Sequence, residues 1–309
     1  MNTYFLKSFK GENYWWRYLF MIIILLIATQ IGSLPLIIVS AIKSYSSGEV
    51  LTQENIINFQ SMGLNKNLGL FLLSLPFAVG LVMFLVLIKP MHKRTITDTL
   101  TGRKQFDFNR FGFAALIWGS LMIFSVLISY ITEPEDYTLQ FDFSQFIILL
   151  CVSGIFITMQ STFEEIIFRG YFQQGLATLF KNMWIPLIIT SALFGVMHIS
   201  NPEVKEFGVG IMLPQYMLLG LVFGICVIMD EGLEIAIGVH VANNVLSSLL
   251  ITHESSVLQT PSIFRVENLD PQYAFFELII FSSLFIFIVA KKYKWDSFKK
   301  IFEKVKPIQ

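Results

Sequence analysis

The sequence predicts an all-α fold, a polytopic membrane helical bundle of about eight transmembrane helices forming a single domain over residues 1–309. Three observations carry this. Of 309 residues, 54% are hydrophobic and only 14% are charged, against about 25% charged in soluble domains. The mean hydropathy is +0.65. The apolar residues also gather into eight runs of about 18 residues or more, and such a run crosses the roughly 30 Å hydrocarbon core as a helix.

Taken in order, the runs are Trp15 to Ile42, Leu68 to Ile88, Phe111 to Ile131, Phe146 to Phe180, Trp184 to Ile199, Ile211 to Met229, Ile235 to Ile251 and Tyr273 to Ala290. The fourth and fifth are the least clean, and the fourth contains ionisable residues. Pro35, Pro76, Pro186 and Pro214 lie in or at the ends of runs, where neighbouring helices re-satisfy the carbonyl that proline frees. Gly220 and Gly224 form a small-xxx-small pair, read as helix packing. The polar stretch Lys43 to Lys66 reads as an external loop with one short helix. Thr95 to Arg110 mixes basic residues with Phe106 and Phe108, a pattern that suits a segment on the membrane surface and equally an ordinary connector.

Net charge is zero but unevenly placed. The second connection is basic, through Lys89, Lys93, Arg94, Arg103, Lys104 and Arg110, and the third is acidic, through Glu133, Glu135, Asp136 and Asp142. Lysines crowd the carboxy-terminal tail, and Lys7, Lys10 and Arg17 mark the amino end. The positive-inside rule therefore predicts both termini in the cytoplasm, and an even number of spans agrees. Beside a final span, tail lysines read as topology signals rather than nucleic-acid contacts. Cys151 and Cys226 each sit inside an apolar run, where a thiol behaves as a small hydrophobe, so neither a disulfide framework nor a cysteine metal site is predicted.

The chemistry sits where lipid should reject it. Glu164 and Glu165 stand in the fourth run with Arg169 behind them, and an ionisable group at that depth is a functional candidate by default. Glu165 and Arg169 are i and i+4 in the favourable order and are expected to pair. Adjacent positions point about 100° apart, so Glu164 is expected to face something else. Desolvation would raise its pKa and suit it to activating water. The same six residues also fit an ion pair at a helix end with Glu164 simply wet. His198 follows Phe194 by one turn; alone it fits a satisfied packing histidine. His240 and Asn244 share a face, with Asn243 nearly on it, an arrangement that fits a proton or metal site beside an oxyanion donor and equally interhelical hydrogen bonding.

Other intramembrane chemistries fail on spacing. His253-Glu254 opens a zincin pattern, but Val257 stands where the second histidine belongs. No Gly-x-Ser occurs for a serine elbow, and no Gly-x-Gly-Asp occurs for an aspartyl dyad.

The ordered set Glu164-Glu165-x-x-x-Arg169, Phe194-x-x-x-His198 and His240-x-x-x-Asn244 resembles the CAAX prenyl endopeptidase type II family, also called the CPBP or Abi family of intramembrane proteases. The resemblance covers about residues 146–251, which it marks as a catalytic core. It implies that Glu164 activates the hydrolytic water with His198. His240 would hold the water or a metal, Asn244 would stabilise the oxyanion, and Glu165 with Arg169 would be the supporting ion pair. Zinc is a candidate cofactor, since His198, His240 and Glu164 could supply three protein ligands; the same residues could hold water directly. The implied partners are a peptide or protein substrate and membrane lipid, with no nucleic acid, while the short loops and the lack of eukaryotic targeting signals favour a bacterial plasma membrane. The substrate would be a prenylated CAAX-like tail, a leader or bacteriocin-type peptide, or another membrane protein.

Residue counting strains this picture. A fourth span beginning at Phe146 and a fifth at Trp184 put Glu164 near the cytoplasmic end and His198 near the outer one, almost a membrane thickness apart. They meet only if the fourth helix begins deeper and runs to about Phe180, or if the fifth is broken. Two rivals stand beside the protease: a non-catalytic scaffold or bacteriocin-immunity protein of the same fold, and a transporter using these groups as a proton relay, which lacks the expected repeat symmetry.

Overall fold

A computed structural model describes residues 2–48 and 63–305. Each of the eight apolar runs forms a helix, and the bundle is all-α as expected. With the short helices between them, the described helices are α1 (Thr3–Lys7), α2 (Trp15–Ser47), α3 (Lys66–His92), α4 (Ile96–Leu100), α5 (Phe108–Thr132), α6 (Phe143–Phe180), α7 (Trp184–Met197), α8 (Pro202–Phe207), α9 (Val209–Asp230), α10 (Glu234–Leu250) and α11 (Pro271–Tyr293). Six of them are long and apolar enough to cross a membrane, and two apolar helices, α7 and α10, are shorter. The short helix expected between Lys43 and Lys66 falls on residues 49–62, outside the described residues.

The long helices turn apolar side chains such as Ile27, Val86, Leu116, Phe124 and Phe287 outward. That surface suits lipid, where helices satisfy their own backbone groups. In contrast, α10 is enclosed: every residue from Glu234 to Ala242 is buried, as befits a helix that packs on all sides. Gly238 permits this, because a Cβ there would stand 2.4 Å from the Phe111 carbonyl oxygen of α5.

The two ends of the bundle differ. At one end, the amino terminus, the second connection and the carboxy-terminal tail meet. Asn2 donates to the Ile228 carbonyl at 2.7 Å, Lys300 pairs with Glu231 at 2.6 Å, and Arg103 pairs with Asp230 at 2.9 Å. The first half of the second connection packs on the bundle, while Lys104, Gln105, Phe108 and Asn109 beyond it are exposed. Its α4 is closed by a Thr95–Asp98 capping box, and Arg94, Asp98, Thr99 and Thr101 are buried against the bundle. At the other end, three short strands form a sheet in the order β1 (Tyr137–Leu139), β3 (Phe264–Val266), β2 (Ile251–Thr252), antiparallel and then parallel.

The strain in the residue count resolves at the α6–α7 hairpin. Helix α6 runs without a break to Phe180, so Glu164 lies about 16 residues, or roughly 24 Å, before the turn. Helix α7 ends at Met197, so His198 lies about 14 residues, roughly 21 Å, after it. Counted from that shared turn, the two residues stand at nearly one depth. Two π-helical stretches, Ser153–Ile157 and Ile166–Gln173, flank the glutamates, the kind of widened turn that recurs at functional sites.

Candidate active site

Glu165, Arg169 and His240 form the buried centre. Arg169 Nη1 donates to Glu165 Oε1 at 2.8 Å, and His240 Nδ1 donates to the same oxygen at 2.8 Å. Glu165 and Arg169 are both 0 % exposed. The guanidinium is boxed by Phe194, Phe223 and Phe168, with its carbon 4.6, 5.3 and 5.6 Å from the ring centroids, and Nη2 donates to the Gly220 carbonyl at 3.0 Å. Such a cation is tolerable inside a bundle because a carboxylate, a carbonyl and three π faces surround it.

The expectation that the two glutamates face different partners needs correction. His240 Nε2 lies 3.8 Å from Glu164 Oε2 while Nδ1 binds Glu165. One imidazole, with nitrogens on opposite edges, thus spans two carboxylates that diverge around the helix. Glu164 keeps 9 % exposure against 0 % for Glu165, so Glu164 is the carboxylate that solvent or substrate can reach. Gln160, one turn earlier, donates to its Oε1 at 3.3 Å.

A donor chain fixes the other edge of His240. Trp118 Nε1 donates to Asn243 Oδ1 at 3.1 Å, Asn243 Nδ2 donates to Asn244 Oδ1 at 3.0 Å, and Asn244 Nδ2 donates to His240 Nε2 at 3.1 Å. With a proton on Nδ1 for Glu165 and an accepting Nε2, the imidazole is held as one tautomer. Phe223 stacks on it at 4.9 Å.

His198 stands next door, at the end of α7. Its Nδ1 donates to the Phe194 carbonyl at 2.6 Å, and Tyr216 stacks on its ring at 4.4 Å and 20°. The Phe194 ring separates the two imidazoles, 4.6 Å from His198 and 5.8 Å from His240. The structure therefore gathers Glu164, Glu165, Arg169, His240 and Asn244 by direct contact and sets His198 beside them across an aromatic ring.

Zinc is less well served. Glu164 and His240 approach closely, but both nitrogens of His240 and Nδ1 of His198 are already engaged. Among the described residues no three His, Cys, Asp or Glu side chains are gathered to hold one ion. The three candidate ligands do not fit a metal as they stand. Sequence spacing could have shown Gln160, at i−4 from Glu164. Trp118, Tyr216 and Phe223 come from other helices and carry no local signal.

The bundle thus holds two carboxylates and an amide about a buried imidazole, and the comparisons bear on what kind of protein carries it. Residues 138–246 match the Type II CAAX prenyl endopeptidase Rce1-like family. That match supports a CAAX-type intramembrane protease kind of function. The chain is also 29% identical over 290 residues to the uncharacterized protein YyaK of Bacillus subtilis (strain 168), covering 91% of this chain and 93% of that protein. No solved structure matches. Apolar helices and family match together make this an integral membrane protein, and the relative's source agrees with a bacterial plasma membrane.

Proposed function

We propose that the protein is an endopeptidase that hydrolyses a peptide bond within the membrane, using water activated at Glu164 with His198 close by. The observation that carries this reading is the His240 imidazole held between Glu165 and Glu164, with an ionised pair buried behind it. The scaffold rival has no use for so costly a group: breaking a buried pair costs about 3–5 kcal/mol, while an apolar replacement is often neutral.

The steps follow from the groups present. Glu164, the reachable carboxylate, takes a proton from water as the water oxygen bonds to the substrate carbonyl carbon. The carbonyl oxygen gains the electron pair and is met by the second N–H of the Asn244 amide. Glu164 then gives its proton to the amide nitrogen, the C–N bond breaks, and a carboxylate and an amine leave. His240 keeps the water at Glu164 by its fixed tautomer, and Glu165 keeps His240.

His240 lies about six residues, roughly 9 Å, past Glu234 at the end where both termini gather. The lysine distribution assigns that end to the cytoplasm, so cleavage near the cytoplasmic face follows. Prenylated CAAX-like tails, leader or bacteriocin-type peptides and membrane proteins are the substrate classes to test. Purified protein in detergent, incubated with prenylated and leader-type peptides beside Glu164→Gln, distinguishes the readings. Cleavage by the wild type alone supports the protease, equal cleavage by both removes Glu164 from the chemistry, and binding without cleavage favours the scaffold.

A further inference from the structure

The chain after Ala290 carries seven lysines against two acidic residues, Asp296 and Glu303. It does not hang free. Trp295 Nε1 donates to Asp230 Oδ1 at 3.1 Å, Lys300 Nζ donates to Glu231 Oε1 at 2.6 Å, and the Val305 N–H donates to the Lys181 carbonyl at 3.0 Å. Ile301 and Val305 sink into the main core, at 9 % and 2 % exposure. Asp230 is the last residue of α9, Lys181 follows the last residue of α6, and the tail itself leaves α11 at Tyr293. The tail is therefore a strap laid across three helix ends, at the level where the spans leave the hydrocarbon.

The uncovered side of the strap is charged and apolar at once. Lys291, Lys294, Lys299 and Lys304 are exposed. Among the described tail lysines, Lys300 alone meets a carboxylate. Phe298 and Phe302, on the short 3-10 helix Phe298–Phe302, stand 46 % and 69 % exposed among those charges. A tail that only sets topology needs lysines, but it has no use for a docked course or for two bare rings. Left in water, the rings forgo the gain of burial. At a membrane surface, phenylalanine beside lysine inserts the ring at the headgroup boundary while the charge stays among the headgroups. Unpaired lysines at that level are drawn to anionic lipid, each adding to the attraction.

We propose that the docked tail is a binding surface for anionic phospholipid headgroups of the adjoining leaflet. Lys299 and Lys304 meet the phosphates, and Phe298 and Phe302 enter the boundary between headgroup and acyl chain. The strap then holds the ends of α6, α9 and α11 more firmly in an anionic bilayer than in a neutral one.

Amide hydrogen exchange over residues 296–305 of the full chain reads how often the strap lifts. The comparison is between nanodiscs of phosphatidylcholine alone and nanodiscs of phosphatidylcholine with phosphatidylglycerol. Exchange should be about tenfold slower in the anionic discs, and high salt should shrink that difference. Each lysine at such a surface is worth roughly fivefold in binding. Lys299→Gln with Lys304→Gln should therefore lose most of the difference while exchanging like wild type in neutral discs. Phe298→Ser with Phe302→Ser should also reduce it. Equal exchange of the wild type in the two discs would overturn the proposal, and so would a difference that either double variant leaves intact. Faster exchange of the lysine variant in neutral discs would overturn it too, by making those lysines props of the fold. The measurement uses no peptide substrate, so it stands even if the protease reading fails.

Discussion

Removing the charge of Glu165 should separate stability from chemistry in one set of proteins. In the structure its Oε1 accepts from Arg169 and from His240, each at 2.8 Å, and neither Glu165 nor Arg169 is exposed. Glu165→Leu alone leaves the guanidinium buried without its anion, which costs about 3–5 kcal/mol, and frees the His240 Nδ1 proton of a charge-assisted bond of about 1.5–3 kcal/mol. That approaches the total stability of a typical domain, about 5–15 kcal/mol, so this variant should express poorly or melt far below wild type. Glu165→Leu with Arg169→Met removes both charges and should regain most of the midpoint. It should not regain activity, because nothing then fixes the His240 tautomer. The assay is the thermal midpoint in detergent for wild type, both single variants and the double variant, with peptide cleavage on each. Additive midpoint losses would refute the buried pair, and a double variant that cleaves at the wild-type rate would refute the orienting role.

Four further expectations follow. Tyr216→Leu removes the ring stacked on His198 and should lower kcat about tenfold while leaving the midpoint within a few degrees; an unchanged kcat would leave His198 without a need for its stacking partner. Burial raises the pKa of Glu203, against hydrogen bonds from the Val257 N–H and from its own backbone N–H. A raised carboxyl favours the folded state at low pH and loses that contribution as pH rises through its folded value. Glu203→Gln should therefore melt higher than wild type near pH 8 and equal it near pH 4, and a wild type that melts higher near pH 8 would contradict this. Lys300→Ala removes the 2.6 Å pair with Glu231 and should speed proteolysis of the carboxy-terminal tail without changing cleavage, whereas lost cleavage would mean that the tail clasp supports the site. Elemental analysis should find no stoichiometric zinc, and chelator should leave cleavage intact; stoichiometric metal with chelator-sensitive turnover would restore zinc as a cofactor.

The fold was largely legible because lipid imposes a simple rule: each apolar run long enough to span became a helix, from Trp15–Ser47 to Pro271–Tyr293. The Glu165–Arg169 pair was legible too, since i,i+4 spacing is local. Depth was not. A count from Phe146 and Trp184 put Glu164 and His198 almost a membrane thickness apart, because it took each apolar run as one full crossing, whereas α7 stops at Met197 and α6 carries on to Phe180. The shared His240 was misjudged because helical angle describes where side chains leave the backbone, whereas one imidazole from α10 reaches both carboxylates with opposite edges. Tyr216 and Trp118 gain their roles only when distant helices meet.

The most direct measurement is peptide cleavage in heavy-oxygen water by wild type and by Glu164→Gln, with thermal midpoints matched first. Wild type should place one solvent oxygen in the new carboxylate, and the variant should be slower by roughly 10²–10⁴-fold, the usual contribution of a general base. A folded Glu164→Gln protein that cleaves at the wild-type rate would contradict the account.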